Sequence, residues 1–324
     1  MRRSAAIYFR GGSGTVLSGL LLAGILSAGC STARAPAHSE VAVVDGDPII
    51  QMVPAETLPS LENPALVSVP RHTDPPAPWE PIVGIPLARE SRGYPVGLLD
   101  TYEVVNDRAE GVDYVVTRCP LAQIEAVYDR RVEGRTLTFV NSGTLWRDTL
   151  VMQDRETGTL WTVATGRALY GPLAGERLRP IPAVLSTSNA WTENHPDARY
   201  LDTGDLTETP LRLSLYEASS WQGFSGRKTA DARYEPKAKL YSVAEGSEAL
   251  AFTEEDVKGR GCIRSTLGER AVLLEWDPGD DAPRAYRPEG TCLEEIAVVP
   301  MYWFALDRHF ETVHTLSKRT AGAS

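Results

Sequence analysis

The chain has 324 residues, with 33 Lys and Arg against 43 Asp and Glu and a formal charge of -10. That balance argues against nucleic acid and anionic membrane faces as partners, because gripping phosphates needs clustered Lys and Arg. The length allows one large or two small domains once the termini are set aside.

At the N-terminus Arg2, Arg3 and Arg10 precede an apolar run from Val16 to Ala28, followed by Gly29 and Cys30. A basic stretch ahead of a short apolar one reads as a secretory signal, since about 20 apolar residues are needed to span a bilayer. The stretch L-S-A-G-C ending at Cys30 resembles a bacterial lipobox, although Ser27 stands where leucine is usual and Leu26 lies one place earlier. The alternative is an ordinary signal peptide with an incidental cysteine. The lipobox resemblance implies a signal peptide over residues 1–29 and acylation (palmitate) at Cys30. With Ser31 rather than aspartate next, it implies an outer-membrane lipoprotein facing the periplasm, the cell membrane being the second location. Each buried methylene adds ~0.8 kcal/mol, so several acyl chains anchor stably.

Residues 30–79 are rich in Ala, Ser, Thr and Pro, with prolines recurring from Pro54 to Pro78. Proline fixes φ and lacks the N–H of a ladder, so this stretch is expected to be an extended, lipid-anchored tether with one short strand at Glu40–Val44. Beyond it, alternating β-branched and aromatic residues predict strands over Tyr102–Asn106, Asp113–Thr117, Arg135–Val140, Thr149–Gln153, Thr159–Val163, Lys239–Val243 and Arg270–Trp276. Turn signals such as Glu133-Gly134 and Thr157-Gly158 separate them too closely for crossover helices. The expected fold is therefore mainly β, or α+β, with antiparallel strands and a few short helices.

Two segments read as helices, Ser186–Asn194 and Tyr302–Phe310. I-P-A-V at Ile181 and I-A-V-V at Ile296 open similar stretches, each passing through an alanine, Ala190 or Ala305, at the same offset. This suggests a weak internal duplication: a first β-rich half over 80–201, a connecting segment over 202–238, a second half over 239–318 and a tail over 319–324. Beyond Cys30 the cysteines are Cys119, Cys262 and Cys292, an odd number. In an oxidising compartment Cys262 and Cys292 are expected to pair, leaving Cys119 free.

Five stretches in order, Tyr94–Asp107, Val115–Ala122, Asp154–Trp161, Gly166–Leu178 and Trp191–Asp197, resemble the bacterial and archaeal family catalogued as domain of unknown function 3179. The family pattern has C-P-L-C where this chain has Cys119-Pro120-Leu121-Ala122, and usually His-Glu where it has Tyr102-Glu103. Both departures remove thiolate and imidazole, the donors that soft and borderline metals prefer. The resemblance leaves Glu103, Asn106, Asp107, Cys119, Asp154, Arg155 and Trp161 in place.

Each of these carries two readings. Cys119, with Glu103 and Asn106, is a candidate catalytic set, the thiol as nucleophile and Glu103 as general base; otherwise Cys119 closes a strand and Asn106-Asp107 forms a turn. Asp107, Asp154, Arg155, Trp161 and His195 are candidate binding residues, with a hairpin loop, a core aromatic and a helix stop as the alternatives. There is no H-E-x-x-H, G-x-S-x-G or Cys-x-x-Cys. The leading expectation is a non-enzymatic binding or assembly module whose partner is an envelope protein or a small ligand. The rival is a thiol- or metal-dependent periplasmic enzyme or redox protein, which alone would call for copper or zinc.

Overall fold

The computed structural model describes residues 38–68, 75–202 and 211–316. The expected signal peptide, the lipidation position Cys30 and the tail from residue 319 lie outside the described residues. Residues from His38 onward form one compact unit.

The fold is mainly β, with antiparallel sheets and a few short helices, in a five-bladed, propeller-like arrangement. The first sheet has six strands in the order Ser39–Val44, Asp47–Gln51, Phe139–Trp146, Thr149–Asp154, Leu160–Thr162 and Ala168–Tyr170. The second runs Leu61–Glu62, Val104–Ala109, Val112–Cys119 and Ile124–Asp129. The third runs Val184–Thr187, Pro81–Ile85, Arg92–Pro95, Arg199–Leu201 and Leu66–Val67. The fourth runs Val299–Tyr302, Lys239–Glu245, Glu248–Phe252 and Thr312–Thr315, and the fifth Ile263–Leu267, Arg270–Asp277, Ala282–Glu289 and Cys292–Ile296.

The third and fourth sheets repeat one plan. Each has a central antiparallel hairpin, an antiparallel strand on one side, and on the other a strand paired in parallel. In both, the flanking strands are joined by a helix of seven residues, Ser188–Asn194 in one and Trp303–His309 in the other. Val184 and Val299 start their strands at equal distances from Ile181 and Ile296, and Ser188 and Trp303 start their helices likewise. This shared plan fits the possible repeat suggested by those isoleucines. Thr187 caps the first of these helices by accepting from the Ala190 N–H, and His195 closes it.

Three expectations are corrected. The segment 30–79 is no free tether where it is described: Ser39–Val44 and Asp47–Gln51 form a hairpin whose second strand pairs with Phe139–Trp146, and Ile49 is fully buried. Leu61–Glu62 and Leu66–Val67 join two further sheets, while Pro54, Pro59 and Pro64 fall between strands, where no ladder N–H is required. The strand expected from Tyr102 begins at Val104, because Tyr102 ends a helix, Val96–Tyr102.

The third correction concerns Cys262 and Cys292, which are free and exposed. Cys262 directly precedes Ile263, which aligns across the fifth sheet with Leu274, Ala285 and Ile296; Cys292 starts the far strand four residues earlier. Three strand spacings of about 4.8 Å already exceed the Cα separation of about 7 Å that a disulfide tolerates.

Candidate functional site

The helix Val96–Tyr102 ends at Glu103, which adopts left-handed backbone geometry with φ 49° and donates its N–H to Leu99 O at 2.8 Å. For a residue with a side chain this costs roughly 1–2 kcal/mol, a local strain the surrounding packing must hold. The turn aims the Glu103 carboxyl into a cleft of 460 Å³. Two of its walls come from sheets. Asn141, Leu145 and Leu150, from the paired strands Phe139–Trp146 and Thr149–Asp154, form one; Pro120 and Leu121, in the turn between Val112–Cys119 and Ile124–Asp129, form another.

That strand is irregular between Asn141 and Thr144. Asn141 Oδ1 accepts the Gly143 N–H at 2.8 Å, and Asn141 Nδ2 donates to Glu103 Oε2 at 2.6 Å. Gly143 has φ 70°, and a Cβ there would stand 2.1 Å from Val53 O. Only glycine permits the approach, which lets the Met52 and Val53 N–H groups bond to Gly143 O and brings both side chains to the cleft. The remaining wall comes from the segment expected to be a mere connection: Leu213 and Tyr216 of the helix Leu211–Ala218, and Phe224. Tyr216 Oη donates to Leu121 O at 2.8 Å and accepts the Gly223 N–H at 3.0 Å.

Burial dominates the chemistry of this floor. It pushes the Glu103 carboxyl up to about 8; the Asn141 hydrogen bond opposes the rise and Asp100 adds to it. Asp100, also on the cleft, is raised by burial while its Oδ1 accepts from Arg118 Nε at 2.6 Å. Behind them Arg118 also pairs with Glu125, and Lys239 Nζ lies 3.9 Å from Glu125 Oε2. The cleft is an apolar pocket with few convergent polar groups and a displaced acid, the form that small-molecule sites commonly take.

Over residues 55–321 the chain matches the family described as Protein of unknown function (DUF3179). The chain belongs to this family. No curated protein and no solved structure matches it.

In this DUF3179 member the motif residues separate. Asp100, Glu103, Pro120 and Leu121 reach the cleft; the others do not. Cys119 is buried with Ala122, Ile124, Phe139, Leu150 and Met152 around the main core, its Sγ accepting the Leu150 N–H at 3.3 Å. Burial pushes its thiol up to about 11, so it is not a thiolate at neutral pH. Arg118 turns from it toward Asp100 and Glu125, as alternation along a strand requires.

Asn106 is buried and consumed by backbone: its Oδ1 accepts from Phe139 N at 2.8 Å and its Nδ2 donates to Phe139 O at 2.7 Å and Leu61 O at 3.2 Å. The catalytic set Cys119, Glu103 and Asn106 is therefore not assembled. Nor do these positions suit copper or zinc: Tyr102 packs among Tyr94, Leu99 and Val105 in a second core, and Ala122 offers no donor.

The expected binding residues are likewise engaged in the fold. Asp107 accepts from Tyr94 Oη at 2.6 Å and Tyr114 Oη at 3.3 Å. Asp154 closes its hairpin through the Thr157 N–H and holds Trp161 Nε1 at 2.8 Å, with the Trp161 ring edge-on to Phe139. Arg155 pairs with Glu56 and Glu62, tying down the N-terminal strands. His195 stacks on Trp191 at 3.8 Å between Ser91 Oγ and Asp280 Oδ1. None of these five lines the cleft. Its other residues, among them Asn141, Tyr216 and Phe224, carry no local signal in the sequence, since their roles arise from contacts between distant segments.

Thiol labelling separates the two roles of cysteine directly. In the native protein Cys262 and Cys292 should alkylate readily and Cys119 only after denaturation, as read by mass spectrometry of peptides. Native labelling of Cys119 at pH 7 would restore it as a nucleophile.

Proposed function

We propose that this protein is a ligand-binding module of the cell envelope, held at the outer membrane by a lipid on Cys30 and taking a small, mostly apolar molecule into the cleft over Glu103. The observation that carries the reading is the cleft itself. Apolar side chains from both sheets and from the helix Leu211–Ala218 enclose it, and one carboxyl on a strained turn stands at its floor. Binding asks nothing of Cys119, which agrees with its position in the core. The N-terminal signal and lipobox supply the envelope part of the proposal.

Titration with the neutral fluorophore N-phenyl-1-naphthylamine tests it. Saturable enhancement is expected, and Leu145→Trp, which fills the cleft from a half-buried strand position, should weaken it by about tenfold or more with the fold retained by circular dichroism. No saturable binding, or binding indifferent to Leu145→Trp, defeats the reading.

A further inference from the structure

Resting on that reading and deepening it, we propose that the cleft selects an amine: a protonated amino group lying against the Glu103 and Asp100 carboxyls, with its apolar tail along Leu121, Leu145 and Leu150. The argument is one of charge. Behind the floor the cations Arg118 and Lys239 are matched by the carboxylates Asp100 and Glu125, so only Glu103 has no cation paired with it. Arg118 pairs with Asp100 and with Glu125, and Lys239 approaches Glu125. Glu103 is left with a neutral partner, Asn141, on Oε2, and among the described residues its Oε1 accepts no hydrogen bond.

A buried carboxyl without a cation holds its proton, whereas a cation brought beside it lets the charged form stand. The other ionisable groups at the cleft are His38 at its rim and the Tyr216 phenol, with the Cys119 thiol behind Glu103. None of these is a fixed cation. An anionic head group would meet the Asp100 carboxylate as a like charge, and a neutral hydroxyl brings no charge that could take the place of the Glu103 proton. An ammonium supplies the missing positive charge and three donors. The rings of Tyr216 and Phe224, stacked at 6.2 Å on the adjacent wall, suit a cation as well as a tail.

The proton balance follows. Near pH 7 Glu103 enters protonated and the amine enters as ammonium; on binding, the Glu103 O–H proton passes to buffer and no other bond breaks. One proton is therefore released per amine bound below pH 8, fewer above it. Affinity rises with pH up to about 8 and falls again once the free amine deprotonates, near 10 for an alkylamine comparable to lysine.

Calorimetry with octylamine, octanol and octanoate, at pH 7 in two buffers of different ionisation enthalpy, tests this on the full chain carrying Cys30→Ser, which removes the lipidation position. Octylamine is expected to bind at least about tenfold more tightly than octanol and octanoate, as a charge-assisted contact requires, with release of about one proton. Glu103→Gln should reduce octylamine to the level of octanol and abolish the proton release. Equal binding of amine and alcohol, or an amine preference that survives Glu103→Gln, overturns the proposal while leaving the cleft as a site. Absence of binding by all three overturns both.

Discussion

Replacing Arg308 by methionine is expected to lower the stability of the protein by about 3–5 kcal/mol, the cost of leaving a buried partner charge uncompensated. Arg308 comes from the helix Trp303–His309 and is almost fully buried. Its guanidinium donates to Asp148 Oδ2 at 2.7 Å, to Gln222 O at 2.8 Å and to Arg227 O. Asp148 in turn accepts the Phe224 and Ser225 N–H groups, both at 2.7 Å, and the Ser225 hydroxyl. The loop closes on it because Gly223 has φ 87° and no side chain; a Cβ there would stand 2.2 Å from the Asp148 Cβ.

One ion pair thus fixes the segment from Gln222 to Arg227 and with it Phe224, a wall of the cleft. Urea unfolding measures the loss. Because both charges act as a unit, Asp148→Asn combined with Arg308→Met should be much less destabilised than the sum of the two single variants. Additive losses would show that the pair is not coupled. The single Arg308→Met variant, where folded, should also bind the naphthylamine probe more weakly, since Phe224 is no longer held.

Asn106→Ala is the second large effect, expected to cost about 2–4 kcal/mol, because it strands the buried N–H and C=O of Phe139 together. The amide of Asn106 reads the backbone of Phe139 from both sides and also reaches Leu61 O, so it joins strands of the first and second sheets that share no ladder. Denaturant midpoints give the stability. Probe binding by the folded variant should stay within about twofold of the parent, within the spread expected for a residue outside the site. A variant of unchanged stability that had lost binding would put Asn106 back into the functional site.

These two residues show where reading the chain as a sequence stops. Arg308 lies within a stretch read as a helix, which holds in the structure, whereas Asn106, expected at a strand end with Asn106-Asp107 as a turn, lies inside the strand Val104–Ala109, which runs on to Ala109. Such local features depend on neighbours within a few residues: alternation of Val, Tyr and Thr, a threonine cap, glycine after a charged turn residue. The offset shared by Ile181 and Ile296 is local in the same sense, and it located the repeated strand–helix–strand unit. Membership of the family was legible as well, since five short stretches stood in order.

What polar residues do was decided by partners far along the chain. Glu103, Asn106 and Asp107 occur within one stretch, yet Asn106 and Asp107 are consumed by Phe139, Leu61, Tyr94 and Tyr114 while Glu103 keeps an oxygen toward a cleft. The cysteine at position 119 met core residues rather than a second thiol, and the proline-rich N-terminal segment docked because Ile49 and its neighbours found a sheet edge. The sequence by itself determined the mainly β character, many of the elements and the family. The tertiary structure alone decided the site, for the physical reason that a side chain's chemistry is set by whether its lone pairs and charges are already satisfied, and that depends on which distant segments fold against it.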